Sequence, residues 1–157
     1  MATINGKFGF LPYIFQLLTL GSGIYPSVML AQWAVESGYG TSNLAKNNNN
    51  FFGIKCYGNN CKGGWKNYNT KLQGYYGYVS LLTKNKRYNE ARKADSPRHQ
   101  IRELVSAGYA GNTPGYENYI MRIINDNDLA RFDKRTELLV IAFPTTIIIY
   151  LWLKRKF

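Results

Sequence analysis

Acidic residues are nearly missing from the first half of this chain: Glu36 is the only carboxylate before Glu90. Lys46, Lys55, Lys62, Lys66, Lys71, Lys84, Lys86 and Arg87 all fall between Ser37 and Asn89, a stretch without one Asp or Glu. Such a stretch presents a positive surface however it folds. With 20 Lys plus Arg against 9 Asp plus Glu, the formal charge of +11 predicts an anionic partner: nucleic acid, anionic lipid or an acidic polymer such as cell wall. Cysteine is scarce too. Two Cys and one His (His99) exclude a disulfide scaffold and a four-ligand zinc site. No Gly-rich phosphate loop of the Walker type and no GxGxxG is present, so nucleotide chemistry has no support. There is no fixed-period repeat, which excludes a solenoid. At 157 residues, 45% apolar and 18% charged, the chain suits one globular core that stands without staples.

The local signals are mostly helical. Phe8 to Leu20 is an apolar run with only Lys7 before it, and Pro12 and Gln16 inside it. It reads as a first amphipathic helix rather than a targeting peptide. Pro26 opens a second helix to about Ser37, with Val28, Ala31 and Val35 as its buried stripe and Gly38 and Gly40 stopping it. From Thr41 to Thr70 the turn formers Asn47 to Asn50, Gly53, Gly58, Asn59, Asn60, Gly63 and Gly64 surround the short apolar stretch Phe51 to Ile54. That reads as a loop and short-strand lobe. Helices resume over Leu72 to Leu82, near Arg87 to Ala94, from the cap Ser96 to Ala107, and from Pro114 to Asn125.

The tail differs. Leu138 to Leu153 carries no charge and is followed by Lys154-Arg155-Lys156. As a helix it would reach roughly 24 Å, short of a hydrocarbon core of about 30 Å unless the terminal lysines snorkel. Its all-round apolarity predicts a C-terminal membrane anchor over residues 136–157, behind a catalytic body over residues 1–135. The competing expectation is a helix buried against that body.

Glu36 lies in the last turn of the second helix. Partial burial and the negative end of the helix dipole would both raise its pKa, which suits a general acid that protonates a leaving oxygen. Gln32, one turn earlier on the same face, is placed to orient the carboxyl. Cys56 and Cys61 bracket a tight loop; they read either as a bridge or as two free thiols. A bridge over so small a loop stabilises by about 2 kcal/mol at most and would imply an oxidising compartment.

The run Leu30-Ala31-Gln32-Trp33-Ala34-Val35-Glu36-Ser37-Gly38-Tyr39-Gly40, followed by Asn49-Asn50-Phe51-Phe52-Gly53-Ile54-Lys55, resembles the glucosaminidase domain of glycoside hydrolase family 73. Tyr88, Gly108-Tyr109-Ala110 and Tyr116 extend the resemblance, which covers roughly Phe8 to Asp133. An isolated ESG is also carried by lytic transglycosylases; ESGYG with NNFFGIK at this distance is specific. The resemblance implies an α+β, mostly α, lysozyme-like fold with a small irregular β lobe that cleaves peptidoglycan after N-acetylglucosamine. By the same resemblance, Glu36 is the catalytic acid, Tyr109 and Tyr116 are cleft tyrosines, and Asn50, Phe51, Phe52 and Gly53 line the sugar groove; Gln32 is expected there from its place beside Glu36 on the helix. Trp65 has two readings, a sugar-stacking ring or a lobe-packing one.

One departure from the family matters. Many members carry a second acid in the hairpin after FGIK, and here that lobe has none. Two-carboxylate hydrolysis needs a partner about 5 to 9 Å away; of Glu90, Asp95, Glu103 and Glu117, only Glu117 is expected near the cleft. The expectation is therefore substrate assistance, with the 2-acetamido group as nucleophile. The resulting reading is a membrane-tethered peptidoglycan hydrolase, monomeric and facing the wall, phage-encoded or a compact remodelling enzyme. It needs no metal or organic cofactor and no nucleic acid. Its rivals are a lytic transglycosylase and an inactive glycan-binding or membrane-active protein.

Overall fold

The computed structural model describes residues 6–57, 62–111 and 113–133. Seven α-helices run among them: α1 (Leu11–Thr19), α2 (Pro26–Ser37), α3 (Asn43–Asn48), α4 (Lys71–Lys84), α5 (Asn89–Lys93), α6 (Pro97–Ser106) and α7 (Tyr116–Asp126). Short 3₁₀ turns lie at Lys62–Gly64, Lys86–Tyr88 and Leu129–Asp133.

Helix α2 is the axis of the fold. Pro26 opens it, and Gly38 in the left-handed region (φ 55°, ψ 52°) closes it by donating its N–H to Ala34. The expected stripe of Val28, Ala31 and Val35 is too narrow. Every residue from Val28 to Ala34 is buried, whereas Val35 is only partly so, because α1, α6, α7 and the 129–133 turn pack around α2. A helix apolar on all sides belongs inside, not at a surface. Its first turn is fixed by Asp133, which accepts from the Ser27 N–H at 2.8 Å and the Ser27 hydroxyl at 2.6 Å. A carboxylate there also complements the helix dipole. Helix α6 starts as its sequence announces, with Ser96 Oγ accepting from the His99 N–H at 3.2 Å. Helix α7 begins at Tyr116, two residues after Pro114, with Gly115 in the left-handed region before it.

The segment between α2 and α4 departs furthest from expectation. Instead of loops and short strands, Asn43–Asn48 is helical, because the Ser42 hydroxyl caps it by accepting from Ala45 N–H at 3.2 Å. Asn49, in the left-handed region, ends it. No strand occurs among the described residues; the β lobe is reduced to one antiparallel bridge between Lys55 and Trp65. Asparagine side chains do the work of a ladder. Asn50 Nδ2 donates to the carbonyls of Ile54 and Lys66 at 2.9 and 3.0 Å, and its Oδ1 accepts from Ile54 N–H at 2.9 Å. Asn49 Nδ2 reaches the Tyr68 carbonyl at 2.9 Å.

Two glycines of α4 let this lobe seat closely. A Cβ on Gly74 would fall 1.9 Å from the Asn49 carbonyl oxygen, a backbone atom that cannot step aside. In an open helix Gly→Ala gains about 1 kcal/mol. Here Gly74→Ala is expected to destabilise by roughly 1–3 kcal/mol, read as a lower midpoint in urea.

No described helix is long and apolar enough to cross a membrane. The expected anchor at Leu138 to Leu153, and the boundary drawn at residue 135, lie outside the described residues. Cys56 is not a free thiol; its expected partner Cys61 also lies outside them.

Candidate active site

Gln32 and Glu36 are four residues apart on α2 and so share one face. Against that face α7 brings Tyr116 and α4 brings Tyr78. The Tyr78 hydroxyl donates to Gln32 Oε1, Gln32 Nε2 donates to Tyr116 Oη at 3.1 Å, and Tyr116 Oη donates to Glu36 Oε1 at 3.1 Å. Each link hands its hydrogen forward, so the chain ends on the carboxylate and fixes the Gln32 amide on the way.

By surface area Glu36 is exposed, yet enough protein crowds the carboxyl that lost hydration raises its pKa, against the opposing pull of the Tyr116 hydroxyl. Burial, then the nearby Glu36 charge, push the Tyr116 phenol far above its ordinary value, so it remains a donor. The second carboxyl oxygen faces Gly53. A Cβ at Gly53 (φ +58°) would sit 3.7 Å from Glu36 Oε2 and 3.8 Å from the Trp65 ring. Gly53 therefore lies against both the acid and an indole that is 38% exposed.

Several residues expected in the groove lie elsewhere. Gln32 and Asn50 are buried, with their amides spent on the tyrosine chain and the lobe backbone. Phe51 and Phe52 are both core: Phe51 packs on Tyr75 at 4.8 Å and Phe52 on Tyr78 at 4.3 Å between centroids. Both lie inward because the Asn50 bonds turn the chain into the lobe. Tyr109, expected as a cleft tyrosine, makes no bond to Glu36; its oxygen is buried without a hydrogen-bond partner, and its ring leans on Tyr78 and Tyr88. Sequence reasoning missed Tyr78. Its only signal was a phenol within the buried α4 series Tyr75, Tyr78, Val79 and Leu82.

Every other described carboxylate is engaged away from Glu36. Glu90 meets Lys93, Asp95 and Glu103 meet His99, Asp126 meets Arg122, Asp128 meets Arg131, and Asp133 holds Ser27. Glu117, although adjacent to Tyr116, turns to α6, where Arg98 and Arg102 grip it and hold its carboxyl below the usual range, Arg102 most strongly. Neighbouring positions on a helix point about 100° apart, so one residue enters the site and the next leaves it. Glu117→Gln is expected to keep activity within roughly tenfold; loss as deep as removal of Glu36 would reinstate a second carboxylate.

Residues 14–129 match the glucosaminidase family, described as mannosyl-glycoprotein endo-beta-N-acetylglucosaminidase. The chain belongs to the glucosaminidase family. It is 32% identical to the protein Bax of Escherichia coli K12 over 119 residues, covering 66% of this chain and 43% of Bax. It is 30% identical to the peptidoglycan hydrolase FlgJ of the same strain over 132 residues, covering 69% of this chain and 42% of FlgJ. The chain thus spans less than half the length of these curated relatives. The glycoside hydrolase domain of Salmonella typhimurium FlgJ superposes with a TM-score of 0.62 at 26% identity, over 79% of this chain and 87% of that one.

Proposed function

We propose that this glucosaminidase-family chain hydrolyses the peptidoglycan glycan strand after N-acetylglucosamine, with one carboxylate and help from the substrate. The observation that carries the reading is Glu36, held by Tyr116 beside the exposed Trp65, with all other described acids occupied elsewhere. A sugar stacked on Trp65 puts its glycosidic oxygen against the acid. Glu36 gives its proton to the leaving O4 as the C1–O4 bond breaks, and the acetamide oxygen of the same sugar bonds to C1. Water then opens the resulting ring, and its proton returns to Glu36. Burial raises the Glu36 pKa, which keeps the proton available for the first step. Tyr116 keeps the carboxyl aimed.

That no second carboxylate among the described residues meets Glu36 serves one further reading equally: a lytic transglycosylase, in which a hydroxyl of the sugar itself attacks C1. Mass spectrometry of the released fragments separates the two. A reducing N-acetylglucosamine end supports hydrolysis; a 1,6-anhydro end assigns transglycosylation. A thiazoline analogue of N-acetylglucosamine, which mimics the cyclised intermediate, is expected to inhibit competitively; no inhibition would rule out acetamide attack.

The cell-wall side of a membrane is the setting we assign. There the apolar tail anchors the domain, a Cys56–Cys61 bridge is stable, and the basic lobe meets anionic glycan. Truncation after Arg135 is expected to leave a soluble, active protein; aggregation of the truncated chain would make Leu138 to Leu153 part of the core.

A further inference from the structure

Helix α1 is apolar on two faces, and only one is used. Phe15 and Thr19 point into the core with Pro12. On the other side Phe10, Tyr13, Leu17 and Leu20 follow one another at helical spacing and are exposed, Phe10 by 80% and Leu17 by 64%. Tyr13 has a ring partner in Phe132, but an outward stripe of large apolar side chains is unfavourable in water.

Leu18, the residue after Leu17 on α1, lines a cavity of about 960 Å³ between α1, α4 and the lobe. Leu18, Leu72, Tyr76 and Leu81 form its apolar wall, and Lys55, Lys66, Lys84 and Lys86 contribute ammonium groups, with no carboxylate in the lining. None of these lysines has an acidic partner among the described residues. Glu36, Tyr116 and Trp65 do not line this cavity.

The chain's exit decides what covers this face. The 129–133 turn packs on α1: Gln16 Nε2 donates to the Phe132 carbonyl at 2.9 Å, and Tyr13 stacks edge-on against Phe132 at 6.0 Å. Only residues 134–137 separate this point from the uncharged run that starts at Leu138. From Asp133 to Leu138 is five Cα–Cα steps, a reach of at most about 18 Å. If the tail enters a bilayer, the stripe is drawn to that bilayer's surface.

We infer that the outward stripe of α1 and the lysine cavity lined by Leu18 form a membrane-docking face, with Phe10, Leu17 and Leu20 in the interface of an anionic bilayer and the lysines on lipid phosphates. Apolar insertion and attraction to anionic headgroups combine in such contacts. Docking fixes the distance of the Glu36 site from the membrane and confines it to the glycan nearest the lipid. The inference uses the anchor assignment above for the tail, and the test below keeps the two apart.

The full chain is reconstituted with vesicles of phosphatidylglycerol and phosphatidylcholine, and in parallel with phosphatidylcholine alone. A nitroxide is placed by Leu17→Cys, with Tyr119→Cys on α7 as the control. In anionic vesicles the Leu17 label should be open to oxygen and shielded several-fold from a water-soluble nickel chelate, while the Tyr119 label remains open to both. Lys66→Gln with Lys84→Gln should weaken the shielding toward its value in neutral vesicles. A chain that floats with vesicles but leaves the Leu17 label open to nickel overturns the docking face and keeps the anchor. A label shielded from both reagents overturns it too, because the stripe is then covered by protein, either the tail or a second copy. A label shielded from nickel alone, on a chain that high salt strips from the vesicles, supports the docking face and removes the anchor.

Discussion

Glu36→Gln is expected to slow hydrolysis of purified sacculi by on the order of 10² to 10⁴, the usual contribution of a positioned acid. The amide keeps the shape of the side chain and can still meet Tyr116, so the fold and glycan binding should survive while the transferable proton is gone. Stability supplies an independent readout. Burial lifts the folded pKa above the ordinary value of 4.5. The fold therefore disfavours the ionised form, and this penalty appears as pH climbs past the unfolded pKa and is complete above the folded one. Glu36→Gln lacks the penalty. Its melting temperature should exceed that of the wild type at neutral pH, and the difference should vanish in acid below 4.5. Near-wild-type turnover by the variant would end the assignment of Glu36. An unchanged stability difference across pH would show instead that the carboxyl does not sense burial.

Tyr116→Phe is the second large effect, and its direction in pH is the telling part. The phenol donates to Glu36 and lowers the acid's pKa against the stronger effect of burial. Without it the folded pKa should rise further. The alkaline limb of kcat/KM, where activity is lost as the acid ionises, should move to higher pH. The rate on the plateau should still fall, by roughly 10- to 100-fold, because the carboxyl is no longer aimed and Gln32 Nε2 loses its acceptor. Leaving that buried donor unpaired should also lower stability by about 1–3 kcal/mol. A limb that moves to lower pH, or a plateau that does not change, would exclude Tyr116 as the positioning residue.

The two variants bear on one question, whether a single carboxylate suffices. The lobe contains no Asp or Glu, and Glu117, the one acid expected near the cleft, is held by Arg98 and Arg102 instead. Substrate assistance is the chemistry we propose for such a site, with transglycosylation as its rival. The thiazoline experiment tests that step apart from the acid.

The sequence alone determined what is encoded locally. Pro26 and Gly38 bound α2, Ser96 with Pro97 starts α6, and the single carboxylate in the first half marks Glu36 before any fold is known. Caps and breakers act over three or four residues, so they can be read without knowing what lies across the core. The ESGYG and NNFFGIK elements were legible as a family pattern for a related reason: each is a contiguous run of residues.

Tertiary structure decided what depends on distant partners. Asn50 has the composition of a turn residue, and only Ile54 and Lys66 arriving beside it make it an internal brace. Phe51 and Phe52 are apolar in sequence whether they face a sugar or a core; Tyr75 and Tyr78, arriving from α4, decide for the core. Gln32 lies one turn from Glu36 in any helix, but its role as a relay exists only because Tyr78 and Tyr116 close on it from helices 46 and 84 positions away along the chain. A hydrogen bond is satisfied by whichever group packing delivers, and period and propensity carry no record of that delivery.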